Sequence, residues 1–211
     1  MRKLPNLLPP RRLVALWFAA ALLGLGIAMC ILAGLGSDVY TCLQQGIGQQ
    51  LGLALGTVNF LLNGILLAVF LFYDRSLVGV GSVMMCLLTG PFISLFQYLL
   101  KGFISVQSPF ELRLMVTVLG ILCNAVAIGW YLPLQAGVQP MDMLVLTIAR
   151  LCRKTYGFGM FIFSAAALAV ARILGGTIGI GTLINIALIG VLVDCLSPLL
   201  ALLLRRFLRS Q

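Results

Sequence analysis

The chain has 211 residues, 62% of them hydrophobic, with 14 basic and 5 acidic side chains, no histidine and a net charge of +9. Without histidine, with few acids and with six cysteines that form no C-x-x-C pair, there is little from which to build a zinc site or acid–base chemistry. An enzyme is therefore the least favoured class, no metal or cofactor is expected, and the solvent for so apolar a chain is a lipid bilayer.

Arg2, Lys3, Arg11 and Arg12 precede the first apolar run, Leu13–Leu35. That run exceeds the ~7–15 residues of a signal-peptide core and no small-residue cleavage site closes it, so it is read as a first span. Next comes a stretch from Asp38 to Leu51 in which Val39, Leu43, Ile47 and Leu51 recur every four residues. This spacing predicts an amphipathic helix too short to cross. Gly56–Tyr73 is the second span and carries Asn59 and Asn63 four apart, hence on one face. Gly79–Leu100, the third, opens on a G-x-G pair and contains Pro91, a predicted kink. Leu112–Leu134 is the fourth span, with Asn124 at depth, and a second short helix follows from Asp142 to Lys154. Gly157–Leu174 and Gly179–Leu204 complete six spans, the last holding Thr182, Asn185, Asp194 and Pro198. Nothing is left over for a soluble domain, so residues 1–211 are read as one membrane domain.

The chain repeats itself. Gly79-Val80-Gly81-Ser82 with Gly90 returns as Gly179-Ile180-Gly181-Thr182 with Gly190. Ala33-Gly34 ahead of Asp38 likewise returns as Ala136-Gly137 ahead of Asp142. Residues 13–100 and 112–204 are then two three-span units, and an odd number of spans inverts the second relative to the first. The predicted fold is an all-α, six-span bundle, a 3+3 inverted repeat with short interfacial or re-entrant helices after spans one and four.

Basic residues near cytoplasmic span ends set orientation. With the N-terminus inside, the inner face collects Arg75, Arg150, Arg153, Lys154 and the basic residues of both termini. Only Lys101, Arg113 and Arg172 fall outside. Both termini are predicted to be cytoplasmic. The charge then marks topology and contact with anionic lipid, not nucleic acid. The cysteines read as small apolar packing residues.

Two readings of Asp38 and Asp142 stand side by side. Either they are N-caps, complementing the helix dipole, or the short helices dip into the bundle and present their N-termini to a substrate. Asp194 lies inside the last span, where an acid is costly and usually functional; the bland alternative is a structural acid bonded to Ser197 or to a neighbouring Thr or Asn. Its counterpart in the first copy is Ser94. Asn59, Asn63, Asn185 and Thr182 complete the candidate polar lining, although amides often simply join helices. The G-x-G pairs read as close-packing sites rather than phosphate loops, because no lysine follows either one.

The segments Gly24-Leu25-Gly26-Ile27-Ala28 through Leu35-Gly36-Ser37-Asp38, and Gly179-Ile180-Gly181-Thr182-Leu183-Ile184-Asn185 with Gly190 and Asp194, resemble the YczE/YitT-like family of bacterial membrane proteins. The resemblance implies a small protein of the bacterial cytoplasmic membrane and supplies no substrate. Ser82 and Met85 stand where the second copy has Thr182 and Asn185, so a site built on that pattern belongs to one half only. The expected function is a secondary transporter or exporter of a small solute. The alternatives are an accessory protein for another membrane enzyme or permease, and a small channel without the Asn-Pro-Ala turns of aquaporins. A homo-oligomer or a membrane-protein partner fits any of these.

Overall fold

The computed structural model describes residues 9–209, with side chains as far as Leu204. Arg2 and Lys3, and the side chains of Arg205, Arg206 and Arg209, which carry part of the charge argument, lie outside the described residues. Eight α-helices follow in order: α1 Pro10–Ala33, α2 Val39–Leu51, α3 Leu55–Tyr73, α4 Val80–Leu100, α5 Phe110–Tyr131, α6 Pro140–Cys152, α7 Tyr156–Ile173 and α8 Ile180–Arg209. A single 3-10 turn, Leu132–Leu134, extends α5. Six of these, all but α2 and α6, are long and apolar enough to cross a membrane. Their ends fall within three residues of the spans read from the sequence, except that α8 runs five residues past Leu204, and both Pro91 and Pro198 lie inside continuous helices.

The two central helices are α1 and α5, each with at least half of its apolar window buried. Between lipid-solvated helices the hydrophobic effect contributes little, and close packing of small side chains takes its place. Gly26 and Gly120 face one another across the α1–α5 crossing, where an added Cβ would overlap the opposite backbone. Ala15, Ala19, Ala20 and Ala28 on α1, and Ala125 and Ala127 on α5, are buried beside them. α4 packs on α1 and α8 on α5, while α3 and α7 stand against α4 and α8. The outer faces of these peripheral helices carry exposed Phe60, Ile65, Val69, Leu87, Val170, Leu183 and Val191, as lipid contact requires.

Exchanging α1–α4 for α5–α8 reproduces these main pairings. α2 packs on α7 as α6 packs on α3, and each short helix also packs on the span that follows it. Two backbone bonds carry the same reciprocity: Gly81 N–H donates to Ala136 O, and Gly181 N–H donates to Leu35 O, both at 2.7 Å. Each G-x-G pair thus seats the start of a span on the turn of the opposite half, the packing role read from the sequence. The turns need Gly36 and Gly137, with φ of +97° and +99°, and an added Cβ there would strike Gly179 and Thr182, or Gly79 and Ser82.

This register corrects the sequence alignment of the two halves. Ala136-Gly137 corresponds to Leu35-Gly36, not to Ala33-Gly34. The N-cap Asp38 therefore matches the N-cap Gln139, and Asp142 matches Thr41. Asp142 is not an N-cap; it lies one turn further along, in the first turn of α6. The apolar stripe of α2 also misleads. Gln44 is buried, whereas Leu51 is 65% exposed, so α2 is embedded in the bundle with a polar face inward.

Candidate functional site

The N-terminal ends of α2 and α6 line one enclosed cavity of about 30 Å³, shared with α1, α3, α5, α7 and α8. Its polar wall is Asp38, Tyr40, Thr41, Asn59, Asn124, Gln139 and Asp142; its apolar wall includes Leu23, Ile27, Met160 and Ile189. No basic side chain is among its lining residues.

Asp38 caps α2. Its carboxylate accepts the Thr41 N–H at 2.9 Å and the Thr41 hydroxyl at 2.5 Å, so the capping reading holds for this acid. Burial pushes its carboxyl above the ordinary range against the pull of the Thr41 bonds. One orphan N–H of α2 is thereby answered from within the chain, and the Asp38 charge sits where an anionic ligand would have to bind. At α6, Gln139 makes no side-chain cap bond, and Pro140 in the first turn has no N–H to offer.

Asp142 is 1% exposed. Its Oδ1 accepts the Tyr156 hydroxyl at 2.8 Å, while Oδ2 has no hydrogen-bond partner. Burial pushes its carboxyl up to about 7; the Tyr156 bond opposes this and the Asp38 charge adds to it. Asn124 Oδ1 is likewise buried without a partner. Behind this wall runs a chain of side-chain bonds. Tyr40 donates to Asn63 at 3.2 Å, Asn63 to Asn59 at 3.1 Å, and Asn59 to Gln44 at 3.2 Å. Asn63 therefore supports the wall from behind, while Asn59 forms part of it. In a membrane such bonds are worth about 0.6 kcal/mol each, and their value here is to fix α2 on α3.

The other candidate residues lie elsewhere. Thr182 is buried at the start of α8, beside Gly36, with Oγ1 accepting the Gly179 N–H at 3.4 Å. Asn185 is buried with neither polar atom bonded, one turn before the cavity-lining Ile189. Asp194 is half-buried, and both its oxygens lie 3.2 Å from the Gly157 N–H at the start of α7. Its partner is a backbone amide rather than Ser197 or a neighbouring Thr or Asn, and the deeply buried acid is Asp142 instead.

Asp194 lines a second, open cavity of about 920 Å³ that also includes Gln135, Arg150, Thr155, Tyr156 and Ser197. Tyr156 thus stands between this vestibule and the enclosed cavity. A third cavity of about 410 Å³ lies at the matching place in the first half, lined by Gln44, Gln49, Gly52, Leu55 and Thr177. Leu55 is the counterpart of Tyr156 there, each following an N-cap residue (Ala54 and Thr155) and preceding the glycine that packs on α4 or α8.

Sequence reasoning missed Tyr156, Thr41 and Gln139. Tyr156 carries no local signal, because its partner lies fourteen residues away across a helix break. Cys30, Cys42 and Cys86 are buried as expected, but Cys152 and Cys195 are exposed. Among the described residues no cluster of metal-ligating side chains occurs.

Residues 10–198 match the family of unknown function DUF6198. The chain is 29% identical to YyaS of Bacillus subtilis over 84% of its length and 88% of that protein's. It is 26% identical to a Haemophilus influenzae protein, over 85% of this chain and 80% of the other. With YczE of B. subtilis, described as a membrane protein, it shares 23% identity over 81% of this chain and 78% of the relative. No solved structure matches. Six apolar helices and a membrane-protein relative make this a multi-pass membrane protein, and the chain belongs to the DUF6198 family, of which a YczE-like likeness was legible in its glycine segments.

Proposed function

We propose that the protein is a secondary transporter or exporter of a small solute in the bacterial cytoplasmic membrane, with both termini cytoplasmic. One observation carries the reading: an enclosed cavity at the facing ends of two short helices, flanked by two open cavities at matching places in the two halves. Paired interrupted helices meeting at a midplane site are the usual build of alternating-access carriers. Non-spanning backbone at membrane depth is tolerated where it is buried in protein or lines a cavity, as α2 and α6 do. Arg75, Arg150, Arg153 and Lys154 lie at the vestibule end, which makes that end cytoplasmic by the positive-inside rule. The two three-span halves are then inverted repeats. The vestibule admits a solute, and the enclosed cavity is too small for anything but an ion or water.

The test is a thermal-shift screen of the purified protein against pooled bacterial metabolites, paired with labelling of single cysteines at Gln135 and Gln49 from either side of the membrane. A ligand at 100 times its Kd stabilises by about 2.7 kcal/mol. A stabilising pool together with opposite-side labelling is the expected result. Same-side labelling ends the inverted-repeat reading. No ligand and no flux in proteoliposomes returns the protein to the accessory class.

A further inference from the structure

Resting on the transporter reading for its role in coupling, we propose that the coupling ion is the proton, held between Asp142 and Asp38 and delivered from the vestibule through the Tyr156 hydroxyl. The groups that meet at the cavity are acceptors in excess. Asp142 Oδ2 has no partner, and Asp142 lines the same space as Asp38. No lysine or arginine balances the two acids among the lining residues. A proton on Asp142 Oδ2 turns an unanswered acceptor into a donor, and reduces two like charges in one small space to one. The volume, about 30 Å³, takes roughly one or two waters and no larger solute.

The route follows from one side chain that lines the vestibule and bonds to a residue of the enclosed cavity. Tyr156 lines the vestibule, and its hydroxyl reaches Asp142 Oδ1 at 2.8 Å. A hydronium in the vestibule gives a proton to the Tyr156 oxygen as the hydroxyl proton passes to Asp142. Water is left behind, the hydroxyl is restored and the carboxylate becomes a carboxylic acid. The charged and titratable groups around Asp142 are Asp38 and Tyr40 from α2 and Tyr156 from α7, with Asp194 of α8 on the far side of Tyr156. Arg150, further along α6, is paired with Asp74 at 2.9 Å. Burial that lifts Asp142 to about 7 suits loading and release near neutral pH.

Infrared difference spectroscopy of the full-length protein in lipid, under pH steps and pH jumps, tests this without any solute. The expected result is a carboxylic-acid carbonyl band that grows as pH falls through about 7 and is lost in Asp142→Asn. Tyr156→Phe raises the midpoint by about one pH unit, since its bond favours the carboxylate, and slows the response to a pH jump by about tenfold or more. Asp38→Asn lowers the midpoint. A band that survives Asp142→Asn overturns the inference, as does the absence of any titrating carboxyl between about pH 5 and pH 9, or an unchanged rate in Tyr156→Phe. A band lost at fixed pH in sodium but not in choline also overturns it, in favour of an alkali cation. Titration of Asp142 without solute flux sinks the transporter reading and leaves the proton site standing. Flux without titration does the reverse.

Discussion

A buried acid with a raised pKa must weaken the fold as it ionises, and Asp142 makes this measurable. Its carboxyl rises from 3.8 to about 7 on folding. The folded state therefore holds a proton that the unfolded state has lost between those two values. Stability is full below the unfolded value, falls as pH rises through the window, and stops falling above about 7. At ~1.36 kcal/mol per pH unit the whole window is worth about 4 kcal/mol, and the accessible part, from about pH 5 to 7, about 3 kcal/mol. For a chain of this size that is a fall in Tm of roughly 5–10 °C. The assay is thermal unfolding in detergent across that range, wild type beside Asp142→Asn. The variant removes the ionisation while keeping an acceptor for Tyr156, so its profile is much flatter, with a residual slope from Asp38. Parallel profiles for the two proteins would refute the reasoning, because they would mean that Asp142 ionises alike in the folded and unfolded states.

Further outcomes follow from the geometry. Gly36→Ala and Gly137→Ala each force a side chain to φ near +100° and against the opposite half, costing roughly 2–4 kcal/mol. Gly52→Ala, at φ +66° with open space around it, costs about 1 kcal/mol; equal Tm losses at the three sites would remove the reciprocal-turn account. Arg113 donates to Ala33 O at 2.6 Å and Gly34 O at 3.0 Å, closing the end of α1, so Arg113→Ala lowers stability by about 2 kcal/mol in SDS titration. Arg150→Ala breaks a pair whose arginine side chain is 56% exposed and changes Tm by no more than experimental scatter, about 1 kcal/mol at most. Thr41→Val strips Asp38 of its hydroxyl donor but keeps the backbone bond, and destabilises by about 1 kcal/mol by the same titration.

The spans were legible because each is a continuous apolar run broken by glycine, proline or charge, and that signal does not depend on neighbours. The close-packing role of Gly79-x-Gly81 and Gly179-x-Gly181 was legible too, though not which turn each one meets. Their glycines are fixed by close backbone approach, which leaves a mark in sequence. Registering the short helices failed where the mark was weaker. Two aspartates near two glycines invited alignment, yet Gly36 and Gly137 set the register and put Asp142 one turn beyond Asp38's counterpart. The stripe through Val39, Leu43, Ile47 and Leu51 suggested an amphipathic helix, either interfacial or re-entrant. Gln44 is inside because Asn59 receives it, a pairing across a span boundary that periodicity does not encode. Asp194 drew attention as an acid within a span, but a glycine amide answers it, whereas Asp142, in a segment too short to cross, is the acid the fold encloses.

Three departures from reciprocity fall on one route. At three places where the first half carries Thr41, Leu55 and Ser94, the second carries Asp142, Tyr156 and Asp194. These replacements lie along the vestibule side, from its wall at Asp194, through Tyr156, to the enclosed cavity at Asp142. On the transport reading, a polar path from one face and an apolar plug at Leu55 on the other make the two access states unequal in energy. On the same reading, the halves would supply the symmetry that lets both states exist, and the three substitutions would set which face the proton reaches first. Tyr156→Leu together with Leu55→Tyr is the direct consequence to examine. If the path resides in these side chains and not in the backbone, the exchange moves proton access to Asp142 towards the opposite face, read as a reversed response to an imposed pH gradient in oriented proteoliposomes. An unreversed response with folded protein would place the asymmetry in the packing of α2 and α6 instead.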